Sequence, residues 1–249
     1  MGKAAALATI EKGGKTMLIS RSEEKLSSAK EYLLQQVPDA DIEIAVLDAT
    51  NEEEVQNFAA NLQDQCWDGL VISAAGKAPH GPVTELETAK TREMLDTKFW
   101  TAYHCAKHIS KKLQDGGCVV FVAGILNRRP GVNCAPLAIA NGALEALTKT
   151  CALEWGPRLR CNCLSPGFCD TERFDHLPEE RKQKMIESTA ASLPLRRIGS
   201  PEDMGQALYY LLTAKFCTGV ILDVDGGHGI RQYANAVGDP MRSNSKQKS

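Results

Sequence analysis

Residues 69–76 read GLVISAAG. A short apolar run with no polar alternation predicts a strand over Gly69–Ser73 that is buried on both faces, as strands of parallel sheets are. The sequel Ser73-Ala74-Ala75-Gly76 is made of residues small enough for a flat ligand to approach the backbone. Working outward, the same arrangement recurs. Ile42–Leu47 is followed by Asp48-Ala49, Arg160–Leu164 by Ser165-Pro166-Gly167, and Val220–Val224 by Asp225-Gly226-Gly227. Thr16–Ser20 and Cys118–Val122 complete the candidate strands.

Segments with helical periodicity lie between these runs. A helix over 3–12 is closed by Gly13-Gly14, one over Glu23–Gln36 stops before Pro38, and one over Glu52–Gln65 opens on Thr50 and Asn51 as caps. Thr91–Gln114, Leu137–Trp155 and Pro201–Leu212 read as further helices. Such alternation winds a parallel α/β sheet from βαβ units, and open sheets of this kind bind ligands at the carboxyl ends of their strands. A single domain over residues 1–230 is expected, with 231–249 as a polar tail. The opening element is unusual, because a doubly wound sheet ordinarily begins with the strand that becomes its centre.

Hydrophobic residues at 43% and charged residues at 24% of the 249 exclude a disordered or low-complexity chain. The 29 basic and 31 acidic side chains leave a net charge of −2, so no strong field draws the chain to nucleic acid or an anionic membrane. Nine scattered cysteines without a Cys-x-x-Cys pair point to free thiols in a reducing compartment, and the cytoplasm is expected. The apolar run within MGKAAALATIEKGGK is too short to cross a bilayer.

With these motifs in this order, the chain resembles the short-chain dehydrogenase/reductase family from Gly2 to about Ile230. ISAAG (72–76) is similar to that family's N-N-A-G, and RCNCLSPGFCDT (160–171) to its R-x-N-x-x-x-P-G-x-x-x-T. LPLRRIGSPEDMGQALYYLL and TGVILDVDGG resemble its C-terminal third. The resemblance implies a Rossmann-like doubly wound parallel sheet, a nicotinamide cofactor and a small carbonyl or alcohol substrate. In such proteins an acidic residue after the second strand favours NAD, and a basic one accommodates the added phosphate of NADP. Ser20-Arg21-Ser22 therefore implies NADP rather than NAD, unless Arg21 is a solvated loop residue. Asp48, followed by Ala49, resembles the adenine-contacting aspartate or else caps the next helix. Ala74, Ala75 and Gly76 stand where small residues admit the cofactor. Pro166, Gly167 and Thr171 resemble the clamp on the nicotinamide carboxamide, with a plain turn as the other reading of the Pro-Gly pair.

Two features depart from the family. Its glycine-rich turn, T-G-x-x-x-G-x-G, holds pyrophosphate on backbone N–H groups, and here Gly2 aligns with the last of those glycines. The expectation is a chain truncated at an internal methionine, lacking the first strand and most of the turn. Unpaired edges then remain at 16–20 and 69–73 unless something else covers the gap. The family's Asn, Ser, Tyr and Lys are also replaced. LAIANGALEALT (137–148) puts Leu137 at the tyrosine that acts as general acid or base, and Asn141 at the lysine that assists it. The same alignment puts Gly124 at the serine and Lys98, in DTKFW, at the asparagine.

Lys98 and Asn141 read as a reciprocal exchange of amine and amide that keeps cofactor contacts, or as drift in an idle site. Gly124 and Leu137 supply neither a titratable group nor a donor. Cys134 and His80, on loops that border the family's substrate pocket, are either alternative proton sources or ordinary satisfied or solvated loop residues. His104 and His108 are spaced i, i+4, but no nearby carboxylate or thiol completes a site, so no metal is expected. Arg128-Arg129 either greets an acidic substrate or forms an exposed loop.

Three functions follow. The first is an oxidoreductase-family protein with a partial NADP(H) pocket and lost or weakened chemistry. The second is an active NADP(H)-dependent carbonyl or alcohol oxidoreductase with a non-standard proton donor. The third is a non-catalytic binding or scaffold subunit. The helices over 91–114 and 137–155 resemble those that form the family's subunit interface, with small residues such as Ala138, Gly142 and Ala146, and the resemblance implies a homo-oligomer or association with a related subunit.

Overall fold

Each apolar run that reads as a strand is one in the computed structural model, which describes residues 1–170 and 178–230. Thr171 and the tail at 231–249 lie outside the described residues. Helix α1 (Gly2–Ile10) leads into β1 (Thr16–Ser20), α2 (Glu23–Gln36), β2 (Ile42–Val46), α3 (Glu52–Asn61) and β3 (Trp67–Ile72). Then come α4 (Thr88–Leu95), α5 (Thr101–Ile109), β4 (Leu113–Val122), α6 (Ala135–Trp155) and β5 (Arg160–Pro166). Helices α7 (Glu179–Ser192) and α8 (Pro201–Thr213) precede β6 (Ile221–Val224).

All strand pairs are parallel. β3, β4, β5 and β6 form one sheet in that order, while β1 pairs with β2 in a second, from Thr16 opposite Ile42 to Ser20 opposite Val46. The sheet is thus divided: among the described residues β1 and β3 each pair along one edge, and a cleft of about 710 Å³ lies between them.

The four-stranded sheet is wound on both faces. Val119, Phe121, Cys161 and Cys163 pack with Val55, Ala106 and Leu144 on one side, while Cys118, Val120 and Leu164 meet Ala5, Met204 and Leu208 on the other. Burial pushes the Cys105 and Cys163 thiols up to about 12, so they behave as inert apolar groups. Arg160 and Asn162, both inside the 160–171 motif, are structural. The Arg160 guanidinium donates to the carbonyls of Leu211, Leu212 and Ala214 at the end of α8. The Asn162 amide donates to Cys217 O at 2.8 Å and its Oδ1 accepts from Val220 N.

The expected single helix over Thr91–Gln114 is broken. Between α4 and α5 the backbone widens to a π turn over Asp96–Trp100, stabilised by a hydrogen bond from Thr101 Oγ1 to Asp96 O five residues back. The last turn tightens at Ser110–Lys112; the Ser110 and Leu113 carbonyls accept from Arg158 and that of Lys112 from Gln65 N–H. β4 therefore starts at Leu113, five residues before the expected Cys118, by way of a left-handed Gly116 (φ 82°). Helix α7 carries no apolar signal in the sequence because none of its residues is fully buried.

Candidate cofactor and catalytic site

The carboxyl ends of β1, β2 and β3 open on a cleft of about 290 Å³. Ser20, Arg21, Asp48, Ala49, Ala74 and Ala75, all expected to touch cofactor, line it together. Asp48 Oδ1 accepts from Thr50 N at 3.0 Å and Thr50 Oγ1 at 2.7 Å, and Arg21 Nη1 stands 4.0 Å from Asp48 Oδ2. The Thr50 hydroxyl above all, then the Thr50 amide and the Arg21 charge, hold the Asp48 carboxyl below its ordinary range. The Ser20 carbonyl is used by Leu47 N–H, leaving its hydroxyl on the cleft side of the turn, 3.5 Å from Ser22 N.

Three of the expected cofactor residues also have structural roles. Ser22 is the N-cap of α2, its hydroxyl accepting from Lys25 N. Gly76 is required by packing, since a Cβ there would come within 2.1 Å of Thr97 Oγ1. Gly167 is likewise required, because a Cβ would lie 2.6 Å from Asp225 Cα. Pro166 ends β5 opposite Val224, where β5 and β6 approach closely.

Thr97, Thr101, Cys105 and Ile109 also line the cleft. Their spacing of four residues is the signal of one helical face, although Thr97 falls in the π turn and both threonine hydroxyls donate back to helix carbonyls.

The four residues that the resemblance aligns with the family's catalytic set gather around the end of β4. Lys98 is 5% exposed, and its Nζ donates to Ala123 O at 3.0 Å. Asn141 is 1% exposed; its Nδ2 would lie 3.0 Å from a Cβ placed on Gly124, and its Oδ1 is buried without a hydrogen-bond partner. Gly124 itself has φ 150° and ψ 159°, a region open to glycine alone. Leu137 is 8% exposed and closes a small apolar cluster with Ala78, Met94 and Leu126.

Beside that cluster the loops bring the expected alternative proton sources together. Cys134, at the N-cap of α6, has its Sγ 3.6 Å from His80 Nδ1, in part because Gly81 N–H bonds Asn133 O. Arg128 donates to Glu145, Asp223 and Ser165. The expectation that no carboxylate stands near His104 and His108 is corrected. Glu52 reaches in from α3, 2.9 Å from His108 Nε2 and 2.7 Å from Lys107 Nζ. Lys107 first, then His108, hold its carboxyl at about 2.

This layout, with a ligand cleft at strand ends and a second cluster after β4, agrees with the comparisons to known proteins. The family model described as Enoyl-(Acyl carrier protein) reductase matches residues 1–229. The chain belongs to the short-chain dehydrogenase/reductase family. It is 27% identical to the NADPH-dependent reductase BacG of Bacillus subtilis (strain 168), covering 91% of this chain and 93% of that protein. Among solved structures, a small-chain dehydrogenase in complex with NADPH superposes with a TM-score of 0.73 at 28% identity, over 86% of this chain and 98% of that one. An NADPH-bound short chain oxidoreductase of Pseudomonas aeruginosa PAO1 containing an atypical catalytic center superposes at 0.81 over 92% of each chain, and at 23% identity shows the shared fold. Among the described residues no helix is long and apolar enough to cross a membrane.

Proposed function

We propose that this family member binds NADP(H) through the adenosine half of the pocket while its proton-transfer chemistry is lost or severely weakened. Leu137 carries the reading. It buries an aliphatic side chain among Ala78, Met94 and Leu126 where the family alignment places the general acid, and a hydrocarbon moves no proton. The NADPH-linked relatives support the choice of cofactor.

The donor set fits the adenosine end. Arg21 and the Ser20 hydroxyl would take the added phosphate, Asp48 with Thr50 an adenine edge, and Ala74 the flat of the ring system. Lys98 and the unpartnered acceptor of Asn141 would meet the ribose on the nicotinamide side. When bound, the nicotinamide supplies a hydride for a small carbonyl; the chain's own residues orient it.

Fluorescence titration with NADPH and turnover with small aldehydes and ketones test both halves. Arg21→Ala weakens NADPH binding by about 10- to 100-fold, the worth of a hydrogen bond to a charged group, and leaves NADH unchanged. Lys98→Ala also weakens NADPH. Unchanged NADPH affinity in both variants overturns the pocket assignment. Turnover of any carbonyl faster than about 1 s⁻¹, within the ordinary enzyme range, overturns the loss of chemistry.

The Cys134–His80 contact favours a second reading, an active reductase in which that pair delivers the proton. Activity abolished by both Cys134→Ser and His80→Gln would select it. We further propose that the protein self-associates through α6, where Ile139, Ala146 and Leu153 form an exposed stripe at seven-residue spacing. Light scattering on the purified protein would detect the dimer.

A further inference from the structure

We propose that the Cys134–His80 pair is a covalent attachment site for α,β-unsaturated carbonyl compounds with an apolar tail, the sulfur acting as nucleophile. Cys134 is the N-cap of α6, a helix of 21 residues, and its side chain makes no capping hydrogen bond. Its Sγ lies 3.6 Å from His80 Nδ1 and 3.4 Å from Val132 O. A carbonyl can accept the thiol hydrogen but does not carry it away as a proton, so the imidazole is the neighbour able to ionise the sulfur. The N–H groups and dipole of the first turn of α6 favour the thiolate in turn. Accessibility alone would choose a different thiol, because Cys66 is exposed and Cys134 half-buried. Cys105, Cys151, Cys161 and Cys163 are enclosed.

The surroundings select the electrophile. Leu137, three residues along α6 from Cys134, packs with Ala78, Met94 and Leu126. A Cβ placed on Gly131 would lie 3.3 Å from Cys134 Sγ and 3.6 Å from Leu126 Cδ2, so the thiol and the edge of that cluster flank one point. Val83 and Val132, 73% and 89% exposed, add an apolar rim on the same two loops, which the hydrogen bond from Gly81 N–H to Asn133 O joins. An apolar tail thus has a surface to lie against beside the sulfur.

The step balances on the pair itself. The thiol proton passes to His80, and a sulfur lone pair forms a C–S bond at the β carbon. The π electrons of the C=C bond move to the α carbon, which takes the proton from His80. The product is a saturated carbonyl thioether, formed without a leaving group and without a redox partner. No cofactor takes part, so this inference stands or falls apart from the NADP(H) reading. It differs from the proton-delivery reading because here the sulfur is consumed.

The test uses the full chain without nucleotide, treated with hexyl acrylate near pH 7, with the thioether at each cysteine followed by mass spectrometry of peptides. Cys134 is expected to react at least about tenfold faster than Cys66, since an unassisted thiol is only about a few per cent ionised at that pH. His80→Gln is expected to remove the advantage and leave the Cys66 rate unchanged. Near pH 10, where any accessible thiol is ionised unaided, the advantage in the parent chain is expected to shrink to less than about threefold. With methyl acrylate, which lacks the tail, the ratio of the Cys134 rate to the Cys66 rate is expected to fall by at least about threefold. A Cys134 rate no greater than that of Cys66 in the parent chain, which requires no variant, overturns the proposal. So does an unchanged Cys134 rate in His80→Gln, a full advantage at pH 10, or an equal ratio for the two acrylates.

Discussion

Phe121 in the second half of β4 is wholly buried, while Leu18 in the middle of β1 keeps part of its surface in water, although VVFV and MLIS are runs of similar apolarity. The difference lies in the neighbours. β4 is flanked by β3 and β5 and covered on both faces, whereas β1 has β2 on one edge and the open cleft on the other. An apolar strand becomes core only when both edges and both faces are occupied, and a two-stranded sheet cannot supply that for itself.

The comparison can be broken most directly by deletion of core volume. Phe121→Ala is expected to cost about 3–5 kcal/mol and Leu18→Ala about 1–2 kcal/mol, because a side chain already in contact with water forfeits less. Urea denaturation of the two variants measures this, and equal losses would mean that β1 is as well enclosed as β4. Restoring a side chain at the end of the enclosed sheet is expected to cost less. Gly124→Ser forces a Cβ into φ 150° and against Asn141 Nδ2, which carries about 1–3 kcal/mol of strain. A variant as stable as the parent would show that the β4 terminus relaxes freely.

At the edge of the enclosed sheet, α8 begins with a reciprocal cap in which Ser200 and Asp203 exchange hydrogen bonds and Arg197 Nη1 lies 2.6 Å from Asp203 Oδ2. Asp203→Ala is expected to lose about 1 kcal/mol, seen as a melting-point drop of about 2–4 °C. The smallest effect is one of pH. Glu52, joining α3 to α5, is held at about 2 by Lys107 and then His108. Its folded value lies below its unfolded one, so its contribution is present above about pH 4.5 and fades as pH falls toward 2. Glu52→Gln should flatten the thermal-stability curve across that window, and an unchanged acid limb would show that other carboxylates govern it.

Much of this was legible in residues alone. Short apolar runs followed by small residues located the six strands and put Ser20, Arg21, Asp48, Ala49, Ala74 and Ala75 at one edge, because period and turn chemistry are local properties. The π turn at 96–100 was hidden: its cause is one hydroxyl reaching back five residues, which no periodic template contains. The contacts that require glycine at 76 and 167, with Thr97 and Asp225, join residues distant in the sequence and could be read only from the fold. The Cys134–His80 contact joins residues 54 apart in the sequence, so proximity could be read only after the loops were placed.

The order of the six strands, the edge that gathers Ser20, Arg21 and Asp48, and the alignment of Gly124, Leu137, Lys98 and Asn141 with the family's catalytic set were determined by the amino-acid sequence, since each depends on residue type and spacing. Which of those residues meet, and the opening between β1 and β3, were decided by tertiary structure. Strand pairing and burial are set by what lies across an edge or a face, and that is a property of the assembled sheet rather than of any segment within it.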